Sequence, residues 1–280
     1  MAEVVGFVGL GAMGLGMASN LVSAGYQVVG YDISPDRQRL ARQRGITLAD
    51  SPQAVAASAT GTVVSVVRTV EQTERALMGE RGIVRAGKPL TVVVASTLDP
   101  ETMTGLAERL APHGVQPVDV TMSGGPWGAE DGTLTLICSG PRDAYDTIHP
   151  LLTAMGNHLF HVSSTVGTAQ AVKLAVQLAF GINMLSAFEA LRTVRHHGVD
   201  EEQFMEILGH SVGGSWVTAN WQRITPWWKH YVPGEDPDDL EILLKDMRAM
   251  LKDADTRNLP LPVTALAFQL LRSVWNQDYA

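Results

Sequence analysis

The amino-acid sequence predicts an α/β protein in two parts: a doubly wound, parallel-stranded domain over residues 1–163, then an all-helical domain over residues 164–280 built round one long helix. Two patterns predict it. Up to about residue 163, short β-branched runs alternate with stretches of helical periodicity, the arrangement of repeated strand–helix–strand units. After Ser163-Ser164-Thr165, a cluster suited to starting a helix, roughly thirty residues run to His197-Gly198 without proline or a strand pattern.

The strands expected in order are Val4 to Val8, Gln27 to Tyr31, Thr62 to Val67, Leu90 to Ala95, Val115 to Val120 and Thr133 to Cys138. Between them Met13 to Ala24, Asp36 to Arg44 and Pro100 to Leu110 are long enough to cross over as helices and polar enough on one side to face water. In the long helix, Val172, Leu174, Val176, Leu178, Phe180 and Ile182 place apolar groups nearly all the way round. Such a helix must be covered by other helices or by another subunit. From Asp200 onward the patterns stay helical, broken at Gly213-Gly214, Pro226, Pro233-Gly234, Pro237 and Leu259-Pro260-Leu261-Pro262.

Composition narrows the function. With 280 residues, 45% of them hydrophobic and 18% charged, the chain has enough apolar surface to bury a core and is not compositionally disordered. Lys and Arg total 21 against 29 Asp and Glu, and a net charge of -8 makes nucleic acid an unsuitable partner. The one cysteine, Cys138, lies in an apolar run and reads as a buried strand thiol, so neither an internal disulfide nor a cysteine metal cluster is expected. The opening Val4-Val5-Gly6-Phe7-Val8 has no basic lead-in and reads as a strand. The most apolar later stretch is interrupted by Lys173, Gln177 and Asn183, so the expectation is a cytoplasmic protein without a membrane span.

Gly9-Leu10-Gly11-Ala12-Met13-Gly14 is a G-x-G-x-x-G directly after the first strand and at the opening of a helix. Its glycines have separate tasks: a tight turn, close approach of backbone to a pyrophosphate, and close helix–strand packing. With the acidic Asp32 at the end of the second strand, the pattern is that of a Rossmann dinucleotide site. A carboxylate there bonds a ribose 2′-hydroxyl and repels a 2′-phosphate, which favours NAD; Arg37 is the residue that would serve NADP.

Two further segments each carry two readings. Asp119-Val120-Thr121-Met122-Ser123-Gly124-Gly125-Pro126 is either a tight structural turn or a set of backbone N–H groups presented to an anion such as a substrate carboxylate. Lys173 sits among apolar neighbours with Gln177 four residues on, on one helix face. It is either a snorkelling surface lysine or a buried one, whose lowered pKa would make it a general acid/base near neutral pH. The histidines are scattered, and His196-His197 at the end of the long helix suits the helix dipole, so no metal is assigned.

Taken together these residues resemble the β-hydroxyacid dehydrogenase family, which includes 3-hydroxyisobutyrate dehydrogenases and tartronate semialdehyde reductases. Gly9 to Gly14 with Met17, Ala18, Asn20 and Leu21 looks like its cofactor signature, and Ser96-Thr97-Leu98-Asp99-Pro100 like its S-T-I-x-P segment, where Thr97 would border the nicotinamide. Ser123, Gly124 and Gly125 resemble its substrate-carboxylate loop. Gly167 to Lys173 resembles the stretch ending in the catalytic lysine, and Lys245-Asp246 a pair whose lysine closes over the cofactor. The resemblance implies hydride transfer between the C3 hydroxyl of a 3-hydroxy acid and NAD, with Lys173 as acid/base, in a homodimer or homotetramer assembled through the helical domains.

The sequence also departs from the family pattern. Val176 and Gln177 stand where an asparagine is usual; Gln177 keeps an amide for substrate and Val176 does not. Arg68, after Val67 in a cofactor-side loop, stands at a proline-like position. Trp127 replaces a small residue, and Trp216, Trp221, Trp227 and Trp228 crowd the helical part. Trp127 and Trp216 fall in segments that resemble pocket walls, while aromatic clusters otherwise mark core or subunit interface. Two alternatives follow from the same resemblance: an NADPH-dependent semialdehyde or imine reductase, and a non-catalytic dinucleotide-binding module. The retained Lys173 opposes both the imine branch and the module, which resemble this chain except for that lysine.

Overall fold

The computed structural model describes residues 3–224 and 239–279. The breaks expected at Pro226, Pro233-Gly234 and Pro237, and Trp227 and Trp228, lie outside the described residues. The chain divides into two compact units, residues 1–173 and 174–280.

The first unit alternates strand and helix: β1 (Val4–Val8), α1 (Gly14–Ser23), β2 (Gln27–Tyr31), α2 (Pro35–Gln43), β3 (Thr47–Leu48), α3 (Pro52–Ser58), β4 (Thr62–Ser65), α4 (Val70–Met78), β5 (Leu90–Val94) and α5 (Pro100–Leu110). It continues with β6 (Val115–Ser123), α6 (Gly125–Asp131), β7 (Leu134–Ser139), α7 (Arg142–Met155) and β8 (Gly156–Ser163). Helix starts follow local chemistry. Ser34-Pro35, Ser51-Pro52 and Asp99-Pro100 each place a capping oxygen before a proline with preset φ, and Asp99 accepts from the Thr102 N–H at 3.0 Å.

The strands form one sheet in the order β3-β2-β1-β4-β5-β6-β7-β8. Neighbours pair in parallel except β6 with β7, which run antiparallel with Asp119 opposite Ser139. The sheet is thus predominantly parallel, as the doubly wound reading expects, with one antiparallel pair. Only the short helix α6 and the turn at Gly132-Thr133 separate β6 from β7, too little chain for a crossover, so the second strand must return alongside the first. The strand order reverses at β1 and β4, the place where open α/β sheets bind ligands at the carboxyl ends of their strands. Val5, Phe7, Val63, Val64, Val92 and Val93 are fully buried, as expected for central strands covered on both faces.

Helix α8 (Thr168–Arg195) begins in the first unit and continues into the second. By length and composition it is apolar enough to cross a bilayer, a test that core helices also pass, and its Gln170 and Lys173 are buried within protein. The second unit adds α9 (Glu201–Gly209), α10 (Trp216–Ala219), α11 (Asp239–Thr256) and α12 (Pro262–Tyr279). Within it Trp221 is a core residue: its indole meets Phe188 edge to face at 5.4 Å, and its Nε1–H donates to Glu201 at 2.7 Å.

Candidate active site

The turn after β1 shows why each glycine stands where it does. Gly9 has φ +93°, and a Cβ there would stand 2.0 Å from the Val66 carbonyl oxygen. A Cβ on Gly14 would meet the Gly9 carbonyl oxygen at 2.0 Å and the Phe7 ring of β1 at 3.2 Å. Gly11 differs, because no atom lies within 4 Å of where its Cβ would be. Protein packing explains the first and third glycines; open space above Gly11, beside the start of α1, fits the backbone approach a pyrophosphate needs. Leu10, Ala12 and Met13 complete this loop.

Asp32 follows β2 directly and is drawn to the same loop. One carboxylate oxygen accepts the Leu10 N–H at 2.7 Å, and the other accepts the Ser34 N–H at 2.8 Å. Each oxygen keeps a further acceptor site. Beside it lies a cavity of about 480 Å³ lined by residues including Tyr31, Asp32, Gln38 and Arg42. Sequence reasoning named Arg37 as the basic residue here, yet the arginine lining the cavity is Arg42, one helical turn from Gln38 on the same face of α2.

Two more loops at the same end of the sheet are tied together, the Val67 N–H donating to Ser96 Oγ at 3.2 Å. This places the loop carrying Val67 and Arg68 against the loop carrying Thr97. The Arg68 N–H itself donates to the Gln72 side chain at 3.0 Å, so this residue also holds the start of α4.

Ser123 is the last residue of β6, so part of the segment read as loop is strand. Gly124 and Gly125 then turn the chain at φ +133° and +71°, and Trp127 folds back so that a Cβ on Gly125 would stand 2.9 Å from its ring. The helix that follows is fastened to α1: the Asn20 side-chain amide donates to the Ala129 carbonyl at 2.8 Å, and a Cβ on Gly16 would stand 2.7 Å from the Ala129 backbone. The Gly9–Gly14 loop and the Gly124–Gly125 turn therefore hang from two directly packed helices.

Lys173 lies in the second turn of α8, 8% exposed. The first turn is pinned to the sheet by groups that the sequence did not single out in this role, Asp119 and Ser139 on the antiparallel pair and Gln170 on α8. Burial pushes the Asp119 carboxyl up to about 6, against the opposing pull of hydrogen bonds from Ser139, Gly167 and Gln170. Cys138, on β7, is buried as expected, and burial aided by the Asp119 charge raises its thiol to about 12, so it is unreactive.

In the second unit, Gln177 donates through Nε2 to Asp246 Oδ2 at 2.9 Å. Asp246, 1% exposed, also lies 3.2 Å through Oδ1 from Lys245 Nζ. The amide at position 177 is thus held by the Lys245-Asp246 pair on α11. Trp216 is 47% exposed and meets Phe180 edge to face at 6.0 Å. Among the described residues, no group of three or more His, Cys, Asp and Glu side chains is placed to hold a metal ion.

Comparison with known proteins identifies the family. Residues 4–167 match the family model of the NAD-binding domain of 6-phosphogluconate dehydrogenase, and residues 167–280 match that described as the NAD-binding domain of NADP-dependent 3-hydroxyisobutyrate dehydrogenase. An L-threonate dehydrogenase of Cupriavidus necator is 33% identical over 96% of this chain and 90% of its own length. The chain belongs to the β-hydroxyacid dehydrogenase family. A 3-hydroxyisobutyrate dehydrogenase of Pseudomonas aeruginosa is 31% identical over 95% of the chain and 90% of its own length. The crystal structure of a Salmonella typhimurium 3-hydroxyisobutyrate dehydrogenase superposes with a TM-score of 0.86 at 27% identity, covering 99% of this chain and 96% of that one. As a member of the β-hydroxyacid dehydrogenases the chain is an oxidoreductase with a dinucleotide-binding Rossmann unit.

Proposed function

We propose that this protein oxidises the C3 hydroxyl of a small 3-hydroxy acid with NAD, and that Lys173 is the general acid/base. The observation that carries the reading is a lysine 8% exposed, in the compact unit that also carries the Gly9–Gly14 cradle. A lysine amine can take the hydroxyl proton and return it in the reverse direction. The dinucleotide, when bound, supplies the hydride acceptor. Gly9 to Gly14 hold its pyrophosphate, Asp32 its ribose hydroxyls, and Val67, Arg68 and Thr97 border its reactive end. The carboxylate at the end of β2 is the reason for preferring NAD to NADP.

The substrate carboxylate is held by Ser123, Gly124 and Gly125, and Trp127 and Trp216 set the bulk that is accepted. Gln177, one turn beyond Lys173 on α8, orients substrate through an amide that Asp246 fixes in place. Lys245 acts on the cofactor side. Residues 1–163 form the nucleotide domain and 164–280 the substrate and oligomerisation domain of a cytoplasmic homodimer or homotetramer. The direct test is absorbance at 340 nm with NAD or NADP against L-serine, 3-hydroxyisobutyrate, glycerate and an aryl-substituted 3-hydroxy acid. NADH formation with a small acid is expected. Turnover of cyclic imines alone, or dinucleotide binding with no turnover, would replace this reading with the reductase or the non-catalytic module.

A further inference from the structure

We propose that Asp119 is a positioning residue: its buried carboxylate, acting through Gln170, sets both the turn of α8 that presents Lys173 and the loop that presents Thr97. The inference rests on the reading above, and it assigns a task to a carboxylate that the chemistry itself does not use.

Asp119 is 0% exposed, in the middle of β6. Burying a carboxylate is costly, and a core site that needed only packing would be better served by an apolar residue. Here four donors converge on it. Oδ2 accepts from Ser139 Oγ at 3.0 Å, the Gly167 N–H at 3.0 Å and the Gln170 N–H at 3.3 Å, and Oδ1 accepts from Gln170 Nε2 at 2.7 Å. Ser139 Oγ in turn accepts the Ala169 N–H at 3.0 Å. The backbone N–H groups at the start of α8, which have no partner inside the helix, are therefore held by two side chains of the antiparallel β6–β7 pair. Lys173 follows within one turn, so the carboxylate fixes the axial position and rotation of the segment that carries it.

The Gln170 amide extends this control to a second segment. Its Nε2 donates to the Ser96 carbonyl at 3.1 Å as well as to Asp119, while its Oε1 accepts the Leu98 N–H at 2.8 Å. The amide cannot be reversed, since that would set a carbonyl against two oxygens and an NH₂ against an N–H. Ser96 and Leu98 are the residues on either side of Thr97. Along β6 itself, Asp119 leads four residues on to Ser123. One buried carboxylate thus joins the three segments assigned to cofactor, substrate and proton transfer. Asp119 touches none of the reacting atoms, so its influence has to pass through these neighbours.

The test is Asp119→Asn, which keeps the shape and sets an NH₂ against at least one of the donors. Two readouts are taken on protein shown to be folded by its melting curve. With a hydroxy acid and NAD, kcat should fall about 10- to 100-fold while KM and NADH affinity stay close to wild type, as expected of misplacement rather than lost binding. Independently of turnover, the rate of Lys173 acetylation by acetic anhydride, measured by peptide mass spectrometry against Lys88 and Lys252 as internal standards, should change about threefold or more. Should Asp119→Asn fail to fold, Gln170→Met, which keeps the carboxylate but cuts the link to Ser96 and Leu98, gives the same two readouts. A folded variant with unchanged Lys173 labelling and unchanged kcat overturns the proposal. If wild type turns over no hydroxy acid while Lys173 labelling still responds to Asp119→Asn, the functional reading fails and the positioning role stands.

Discussion

The contrast between Gly9 and Gly11 gives a prediction in which stability and binding separate. An alanine at Gly9 would hold an L-residue at φ +93° and place its methyl 2.0 Å from the Val66 carbonyl oxygen, whereas real Cβ contacts begin beyond 3.0 Å. The left-handed backbone alone costs about 1–2 kcal/mol, and relieving an overlap of more than an ångström against strand backbone adds at least as much. A total of about 3 kcal/mol or more should lower Tm by roughly 6 °C in a chain of this size. At Gly11 the same methyl meets nothing within 4 Å, so Gly11→Ala should melt within about 1 °C of wild type. The methyl would instead occupy the space assigned to the pyrophosphate and weaken NAD binding about 10- to 100-fold, or about 1.4–3 kcal/mol. Differential scanning fluorimetry and NADH fluorescence titration on both variants decide the matter. A Gly11→Ala protein that binds NADH as wild type does would refute the placement of the phosphates, and one that melts as low as Gly9→Ala would refute the division of tasks between the glycines.

Two other outcomes are expected. Asp32→Asn, which keeps the shape of the side chain and removes the charge that opposes a 2′-phosphate, should shift the NADP/NAD preference in kcat/KM toward NADP by about tenfold; an unchanged ratio would mean that Asp32 serves the Leu10 and Ser34 N–H groups alone. Asp119 should leave its mark on stability against pH. With its carboxyl raised from 3.8 to about 6, the folded state holds this proton more tightly than the unfolded chain. Its contribution therefore favours folding below about pH 4 and is lost as pH rises through about 6, a span of about 3 kcal/mol. Urea unfolding at pH 4 and pH 7 should show wild type losing stability relative to Asp119→Asn over this range, and parallel pH curves for the two proteins would contradict the shift.

Much of the fold was legible because the signals were local. The strand at Val4 to Val8, the glycine turn and the Asp99-Pro100 helix start each depend on a few adjacent residues, and the structure places them where the periodicity does. The antiparallel return of β7 was not legible, since it follows from the shortness of the connection through α6 rather than from any pattern in the strand. The two-residue β3 and the half-exposed edge strand β8 also escaped, being too short or too polar to show alternation. In the site, the chemistry-bearing types were visible: glycines after a strand, an acid at a strand end, a lysine among apolar neighbours. Their supports were not. Asp119 fell near the end of an expected strand, where the glycine-rich segment begins, and its contacts with Ser139, Gly167 and Gln170 span 20 to 51 residues of sequence. The hold of Asp246 on Gln177 spans 69. Such partners become neighbours only when the sheet and helices assemble.

The most direct measurement of the central claim compares wild type with Lys173→Ala in initial rates of NADH formation at 340 nm, under saturating NAD and 3-hydroxyisobutyrate, alongside NADH titration of both proteins. The account predicts measurable wild-type turnover, a loss of about 10²- to 10⁴-fold in kcat for the variant, and NADH affinity within about twofold of wild type. Full turnover in Lys173→Ala would contradict the role of the lysine, and loss of NADH binding in that variant would show that it serves the cofactor instead.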